Sequence, residues 1–232
     1  MIDLPRLYPI LDAGCFPSAH ELAQAAQELV TAGCTLLQYR NKSGNARMML
    51  QQARELKRTI DSNAEIANST ILGRGSQNSH FSQRQPEAGH PIFLIMNDRA
   101  DLCLAAEFDG VHVGQDDLSP DSVRKIIGSE RWLGISTHNP EQLREADQTS
   151  ADYVAIGPIF ATSSKLNPDP IVGLEGVRRA RSLTSKPLVA IGGITRANAI
   201  SVIEAGADSV AVISDLVDDP RKSAEEFLRI LR

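Results

Sequence analysis

The chain has 232 residues, a net charge of -5 and a pI near 5.6. That length is enough to bury one large core, and α/β barrels of this size form a single domain; the acidic balance and the lack of any Lys/Arg run exclude the basic footprint of a nucleic-acid binder. No apolar stretch approaches the roughly 18 residues that span a bilayer, and the opening residues lack the basic-then-apolar order of a secretion signal, so a soluble, cytoplasmic protein with neither nucleic-acid nor membrane partners is expected. Cys15, Cys34 and Cys103 are odd in number and show no C-x-x-C spacing, which argues against a disulfide framework or a zinc site.

Leu7 to Leu11 reads as a first strand, and Ser18 caps an alanine-rich helix running to about Ala32, with Gly33 at its end. Thr35 to Gln38 is a second strand that ends in Gln38-Tyr39-Arg40-Asn41-Lys42, and a helix with apolar spacing follows from about Ala46 to Ile60. From Asp61 to His90 the composition turns to Ser, Asn, Gln, Gly and His. This stretch is read as a polar, flexible insertion between helix 2 and strand 3, emerging on the face opposite the active site as a disordered or oligomer-contacting loop.

Two apolar runs of strand length follow, Pro91 to Asp98 and Asp109 to Asp117, each ending in carboxylates and separated by a short amphipathic segment that suits a helix returning over a parallel sheet. Neighbouring strands lie about 4.8 Å apart, so Asp98 and Asp117 can direct oxygens at one point from the same sheet edge. Mg2+ suits that arrangement, because it takes oxygen ligands and keeps waters alongside one or two carboxylates and substrate phosphates. Taken singly, Asp98 is a helix cap and Asp117 a turn residue; the repeated placement favours the metal.

A helix near Pro120 to Ile127 leads to a strand from Trp132 to Ser136, and Asn139-Pro140 starts the next helix with a capping side chain and proline at the first helical position. A strand from Tyr153 to Gly157 is followed by a loop to Val172 that holds Thr162-Ser163-Ser164-Lys165. A helix from Glu175 to Leu183, a strand from Pro187 to Ile191 ending in Gly192-Gly193, and a helix from Arg196 to Ala205 come next. A last strand, Ser209 to Ile213, ends at Ser214 before the terminal helix Pro220 to Leu231.

Eight strand-helix units at this length favour one closed (β/α)8 TIM barrel over a doubly wound sheet, and no G-x-G-x-x-G follows the first strand. All strand ends then share one face, where such enzymes place their active sites. Gln38, Arg40, Lys42, Asn97, Asp98, Asp117, Ser136, Thr162, Lys165, Gly193 and Ser214 form a single constellation there, with the chemistry of anion handling. Gly192-Gly193 and Ile213-Ser214 follow strands seven and eight, the usual barrel position for a phosphate, so two phosphorylated groups are expected. His112 alternates with Val111 and Val113 and reads as a barrel-lining residue. His138, at a strand end, either reaches the site or flanks a helix, and neither histidine has the partners of a nucleophilic triad. Arg99 and Asp101 are expected at the solvent, and His80 and His90 lack the companions of a metal site.

The motifs Gln38-x-Arg40-x-Lys42, Asn97-Asp98, Gly114-Gln115-x-Asp117, Gly134-x-Ser136-Thr137-His138, Gly157-Pro158-Ile159-Phe160-x-Thr162, Lys165 and Ile191-Gly192-Gly193-Ile194, in this order, resemble the thiamine phosphate synthase family over nearly the whole chain apart from residues 61–90. The resemblance implies a (β/α)8 transferase that couples hydroxymethylpyrimidine diphosphate to hydroxyethylthiazole phosphate, or its carboxylated form, with Mg2+ as cofactor; it admits a homodimer. It implies that Gln38, Arg40, Lys42, Asn97, Ser136 and Lys165 hold the pyrimidine diphosphate, with Tyr39 and Asn41 of the same motif among the substrate-binding residues. Asp98 and Asp117 would hold the metal, and Thr162, Ser163, Ser164, Gly193, Ile213 and Ser214 the thiazole phosphate. Arg40, Lys42, Lys165 and Ser136 would carry the catalysis, a dissociative substitution that needs no protein nucleophile. Asn41 stands where the family usually has glutamate, and Ser164 where threonine is common. A thiazole tautomerase on the same barrel and a non-catalytic barrel that binds thiamine intermediates are the alternatives. An unrelated phosphosugar isomerase or aldolase would want a positioned Glu base or a Schiff-base lysine, and no strand ends in an obvious one.

Overall fold

The computed structural model describes residues 2–71, 92–162 and 169–232. Eight strands, β1 (Leu7–Asp12), β2 (Leu36–Arg40), β3 (Phe93–Asn97), β4 (Gly110–Val113), β5 (Trp132–Thr137), β6 (Tyr153–Ile156), β7 (Leu188–Ile191) and β8 (Ser209–Val212), close into a barrel in chain order. Every pairing is parallel, including that of β8 back to β1. The helices α1 (Ala19–Thr31), α2 (Ala46–Ile71), α3 (Ala100–Ala105), α4 (Pro120–Ile127), α5 (Pro140–Asp147), α6 (Gly173–Arg181), α7 (Ala199–Glu204) and α8 (Pro220–Ile230) alternate with the strands. The (β/α)8 barrel expected from the sequence is therefore the fold.

The strands are apolar on both sides because both sides are covered. Along β2, Leu36 joins Tyr8, Ile10, Ile95, Tyr153, Ala155, Val189 and Ala211 in the barrel lumen, while Leu37 and Tyr39 join the larger core between strands and helices. The stacked rings of Phe93 and Trp132, with centroids 4.4 Å apart, pack against the lumen cluster from the starts of β3 and β5. Helix starts follow the capping signals: Ser18 Oγ accepts from Glu21 N at 3.2 Å and Asn139 Oδ1 accepts from Gln142 N at 2.9 Å.

A two-way clamp repeats at the N-terminal ends of three strand pairs. Asp109, Asp152 and Asp208, each just before an even-numbered strand, donate a backbone N–H to the carbonyls of Leu94, Leu133 and Leu188 on the odd-numbered strand before it. Their Oδ2 atoms accept the N–H of the same three leucines at 2.9, 2.7 and 2.7 Å. Each clamp holds two strands in one register, and a slip by one residue would turn lumen side chains into the helix layer.

One element differs from expectation. Helix α2 runs to Ile71, so residues 61–71 of the stretch read as loop are helical; the remainder of that stretch, residues 72–90, lies outside the described residues. Between Asp61 and Ile71 there is neither glycine nor proline, and polar residues weaken the apolar periodicity by which a helix is recognised without removing its backbone propensity. Local bonds carry the helix past Ile60: Lys57 Nζ pairs with the Asp61 carboxylate at 2.9 Å, and Ser62 Oγ donates to the Arg58 carbonyl at 2.8 Å. Among the described residues, no helix is long and apolar enough to cross a membrane.

Asp152 Oδ2 accepts from Leu133 N and also from Arg124 Nη2 at 2.7 Å. Replacing Asp152 with Ala leaves the Leu133 N–H without its side-chain acceptor and Arg124 without its ion pair, and is expected to cost about 2 kcal/mol of stability. Urea denaturation checks this, and an unchanged midpoint would contradict the clamp.

Candidate active site

Six polar side chains, Asp12, Arg40, Lys42, Asn97, Asp98 and Asp117, collect where β1 to β4 end. Arg40, the last residue of β2, is in register with Asp12, the last of β1, and the two form an ion pair; Asp12 Oδ1 also accepts from Gly14 N at 3.0 Å. The guanidinium is thus aimed by a carboxylate on the neighbouring strand. Lys42 reaches across to Asp98 Oδ2 at 2.5 Å. Asp98 follows β3 with a left-handed φ of +62°, a conformation that Asp and Asn tolerate better than most residues, and its backbone N–H donates to the His112 carbonyl at 2.8 Å.

The Asp98 carboxyl lies near that of Asp117. Asp117 Oδ2 accepts from Gly114 N at 2.7 Å, which fixes it in the turn after β4. Burial pushes Asp98 above the usual carboxylate range; Lys42 opposes the shift and the Asp117 carboxylate adds to it. A second carboxylate nearby disfavours the charged form of Asp98, and a cation relieves that repulsion. The donors the two carboxylates offer are hard oxygens. This fits Mg2+, which completes its shell with waters and phosphates. Beside the pair, Asn97 Nδ2 is the buried side-chain polar atom left without a partner among the described residues. An orphaned buried donor at a strand end fits a ligand oxygen.

Below the mouth, a hydrogen-bonded chain crosses the lumen. Gln38 Nε2 donates to Tyr8 Oη at 3.0 Å, and Tyr8 Oη lies 3.0 Å from Tyr153 Oη. Tyr153 Oη is 3.1 Å from His112 Nδ1, and His112 Nε2 is 2.8 Å from Ser136 Oγ. Burial pushes His112 down to about 4. His112 is barrel-lining, as its alternation with valines implied, and it touches a candidate site residue. His138 instead lies 2.6 Å from the Gly157 carbonyl and 3.5 Å from Asp169 through Nδ1, so it ties the ends of β5 and β6 together.

On the opposite side of the mouth, Gly192 and Gly193 have φ of +103° and +62°. A Cβ at Gly192 would fall on Pro158, and one at Gly193 on Phe160 and the Ala161 carbonyl. They are glycines because the loop after β6 lies directly on them, with Phe160 N donating to the Gly192 carbonyl at 3.0 Å. Thr162 is half-buried at that edge, Ile213 is half-buried and Ser214 exposed after β8. Ser163, Ser164 and Lys165 lie outside the described residues.

Two members of the expected substrate-binding set turn the other way. The buried Tyr39 hydroxyl donates to Gln52 Oε1 on α2 at 2.7 Å. Asn41 Nδ2 donates to the same oxygen at 2.8 Å and to Tyr39 Oη at 3.2 Å, while its Oδ1 accepts Ser43 N at 2.8 Å. Strand alternation sends Gln38 and Arg40 inward and Tyr39 outward, so the side chains of Tyr39 and Asn41 serve packing and loop shape. Two carboxylates at the site escaped the sequence reading. Asp12 falls one residue past the strand read as Leu7 to Leu11, and β1 extends to include it. Asp215, paired with Arg196 at 3.0 Å, had no sequence signal, since its partner stands 19 residues away.

The thiamine monophosphate synthase family matches residues 87–216 of this chain. The chain is 57% identical to the thiamine-phosphate synthase of Koribacter versatilis (strain Ellin345), over 99% of its own length and 97% of the relative's. It is 39% identical to that of Chloroflexus aurantiacus (strain ATCC 29366 / DSM 635 / J-10-fl), over 96% and 90%. The solved thiamine phosphate pyrophosphorylase from Pyrococcus furiosus superposes with a TM-score of 0.74 at 28% identity, covering 97% of this chain and 95% of that one. With family motifs, barrel and relatives in agreement along the chain, this protein belongs to the thiamine phosphate synthase family of transferases.

Proposed function

We propose that the barrel mouth joins 4-amino-5-hydroxymethyl-2-methylpyrimidine diphosphate to hydroxyethylthiazole phosphate, or to its carboxylated form, and releases diphosphate. The observation that carries this reading is the gathering of Asp98 and Asp117 with Lys42, Arg40 and the unsatisfied Asn97 amide at the ends of β2 to β4. Such a group of charges has a use when a diphosphate and a divalent cation arrive together. Mg2+ held by Asp98 and Asp117 would neutralise the charge that develops on the leaving diphosphate.

Arg40, aimed by Asp12, and Lys42 bind diphosphate oxygens, and Lys165 adds a third cation. Asn97 donates its amide to a substrate oxygen. Gln38 and Ser136 hold the pyrimidine ring over the lumen. Thr162, Ser163, Ser164, Gly193, Ile213 and Ser214 receive the thiazole phosphate at the ends of β6 to β8, where barrels commonly bind phosphate. The C–O bond to diphosphate breaks first. The pyrimidine ring stabilises the methylene cation that remains, and the thiazole nitrogen captures it. Preorganised positive charge is the main source of acceleration in such a step, and no side chain has to act as nucleophile. Both ring nitrogens of His112 are engaged in hydrogen bonds, which accords with a role outside proton abstraction.

Purified protein given both substrates should form thiamine phosphate and diphosphate in equal amounts, with turnover abolished by EDTA and restored by Mg2+. No product at any Mg2+ concentration would overturn the reading. Asp98→Asn is the sharpest variant, because asparagine keeps the left-handed backbone and the shape while removing the charge. Turnover should fall on the order of a hundredfold or more. The sign for stability is opposite. The folded state raises the Asp98 pKa, so it holds that proton more tightly than the unfolded chain; ionisation as pH rises through the raised value costs stability, and a neutral amide avoids the cost. Thermal unfolding in EDTA at neutral pH should therefore show a melting temperature at or above that of the parent protein. A variant that turns over normally, or that melts several degrees lower, would contradict this account of the pair.

A further inference from the structure

The chain of hydrogen bonds through the lumen has a direction, and the direction decides what Ser136 offers a ligand. Its members are Gln38 on β2, Tyr8 on β1, Tyr153 on β6, His112 on β4 and Ser136 on β5. All but Ser136 are buried, so an unused proton inside the chain would carry the full penalty of an unsatisfied donor. Each tyrosine hydroxyl has one proton to give, and a neutral imidazole has one N–H and one bare nitrogen.

Gln38 presents Nε2 to Tyr8, so Tyr8 accepts there and must give its own proton to Tyr153. Tyr153 in turn must give its proton to His112 Nδ1. The imidazole proton then sits on Nε2 and is donated to Ser136 Oγ. If Nδ1 carried the proton, Tyr153 would accept from both His112 and Tyr8, or Tyr8 would accept from both Gln38 and Tyr153; either way one buried phenolic proton has no acceptor in the chain. A doubly protonated imidazole meets the same obstacle, and burial keeps His112 neutral in any case. Burial likewise raises both phenols far above neutrality, so neither tyrosine gives its proton up.

We propose that His112 is a positioning residue, locked as its Nε2–H tautomer by the chain from Gln38 through Tyr8 and Tyr153, and that it thereby commits Ser136 to act as a hydrogen-bond donor toward an acceptor atom of the bound ring. Ser136 Oγ accepts from His112, and its own proton is not consumed by the chain. The Gln38 amide, with one Nε2 proton used on Tyr8, keeps Oε1 as an acceptor beside its second N–H. A heteroaromatic ring between β2 and β5 therefore meets an acceptor on one side and a donor on the other. The pairing of this donor with the pyrimidine rests on the reaction proposed above; the tautomer does not.

The test begins with the unaltered protein. Labelled with 15N-histidine and free of substrate at neutral pH, it has five histidines to resolve, and the His112 signals are those lost in His112→Gln. Two-bond proton-nitrogen correlations are expected to show Nε2 protonated and Nδ1 bare; a protonated Nδ1 would overturn the proposal, with no variant needing to fold. Tyr153→Phe, which removes the donor to Nδ1, should abolish the single-tautomer pattern. Kinetics give the second arm. His112→Leu should raise KM for the pyrimidine diphosphate roughly tenfold while kcat changes far less, as expected when a ground-state hydrogen bond is lost. His112→Gln, whose amide offers an acceptor and a donor at similar spacing, should recover most of that loss. A leucine variant with unchanged KM, or a glutamine variant no better than leucine, would overturn the positioning role. Should the unaltered protein form no thiamine phosphate, the proposed reaction fails, while the tautomer measurement still decides the lumen chain by itself.

Discussion

Closure of the barrel is the constraint on which everything else depends. Because strand residues alternate between two sides, a closed sheet sorts each strand into a lumen set and a helix-facing set, and neither can be repaired by exposure to water. The lower lumen is filled by apolar and aromatic side chains such as Ile10, Leu36, Ile95 and Val189. Higher up, Gln38, Tyr8, Tyr153 and His112 are buried and need partners, and the chain that ends at Ser136 is the result. The aspartate clamps at the opposite end hold the register that makes this sorting reproducible.

Charge at the mouth is organised before any ligand arrives. Arg40 is turned by Asp12 and Lys42 by Asp98, while Arg196 is held by Asp215 and Glu226. Cations aimed by carboxylates lose less side-chain freedom when an anion binds, which is the general advantage of preorganisation. The Asp98–Asp117 pair is of a different kind. It gathers negative charge in a half-buried place, with Lys42 as partial compensation. An arrangement of this type favours further positive charge nearby.

Much of this was legible in the sequence. The barrel followed from eight alternating units, and the strand-end position of Asp98 and Asp117 followed from apolar runs that stop at acids. Other features depended on contacts that no spacing encodes. Helix α2 extends to Ile71 because backbone propensity and local ion pairs outlast the apolar pattern. Tyr39 and Asn41 sit in a motif whose neighbours face the mouth, yet one residue of alternation and the Gln52 side chain turn them to α2. Asn41 thereby acquires a local role, closing the loop after β2 through Ser43. The link between His112 and Ser136 was likewise out of reach, because it requires the register that sets β4 beside β5.

The claim at the centre of the account is that the strand-end carboxylates and cations together form a site for a metal-bridged diphosphate. Calorimetric titration of the protein with inorganic diphosphate, in Mg2+ and again in EDTA, tests it without requiring turnover. The account predicts binding that depends on Mg2+ and is weakened severely in Asp117→Asn. Equal affinity in EDTA and in Mg2+, unchanged by that substitution, would contradict it.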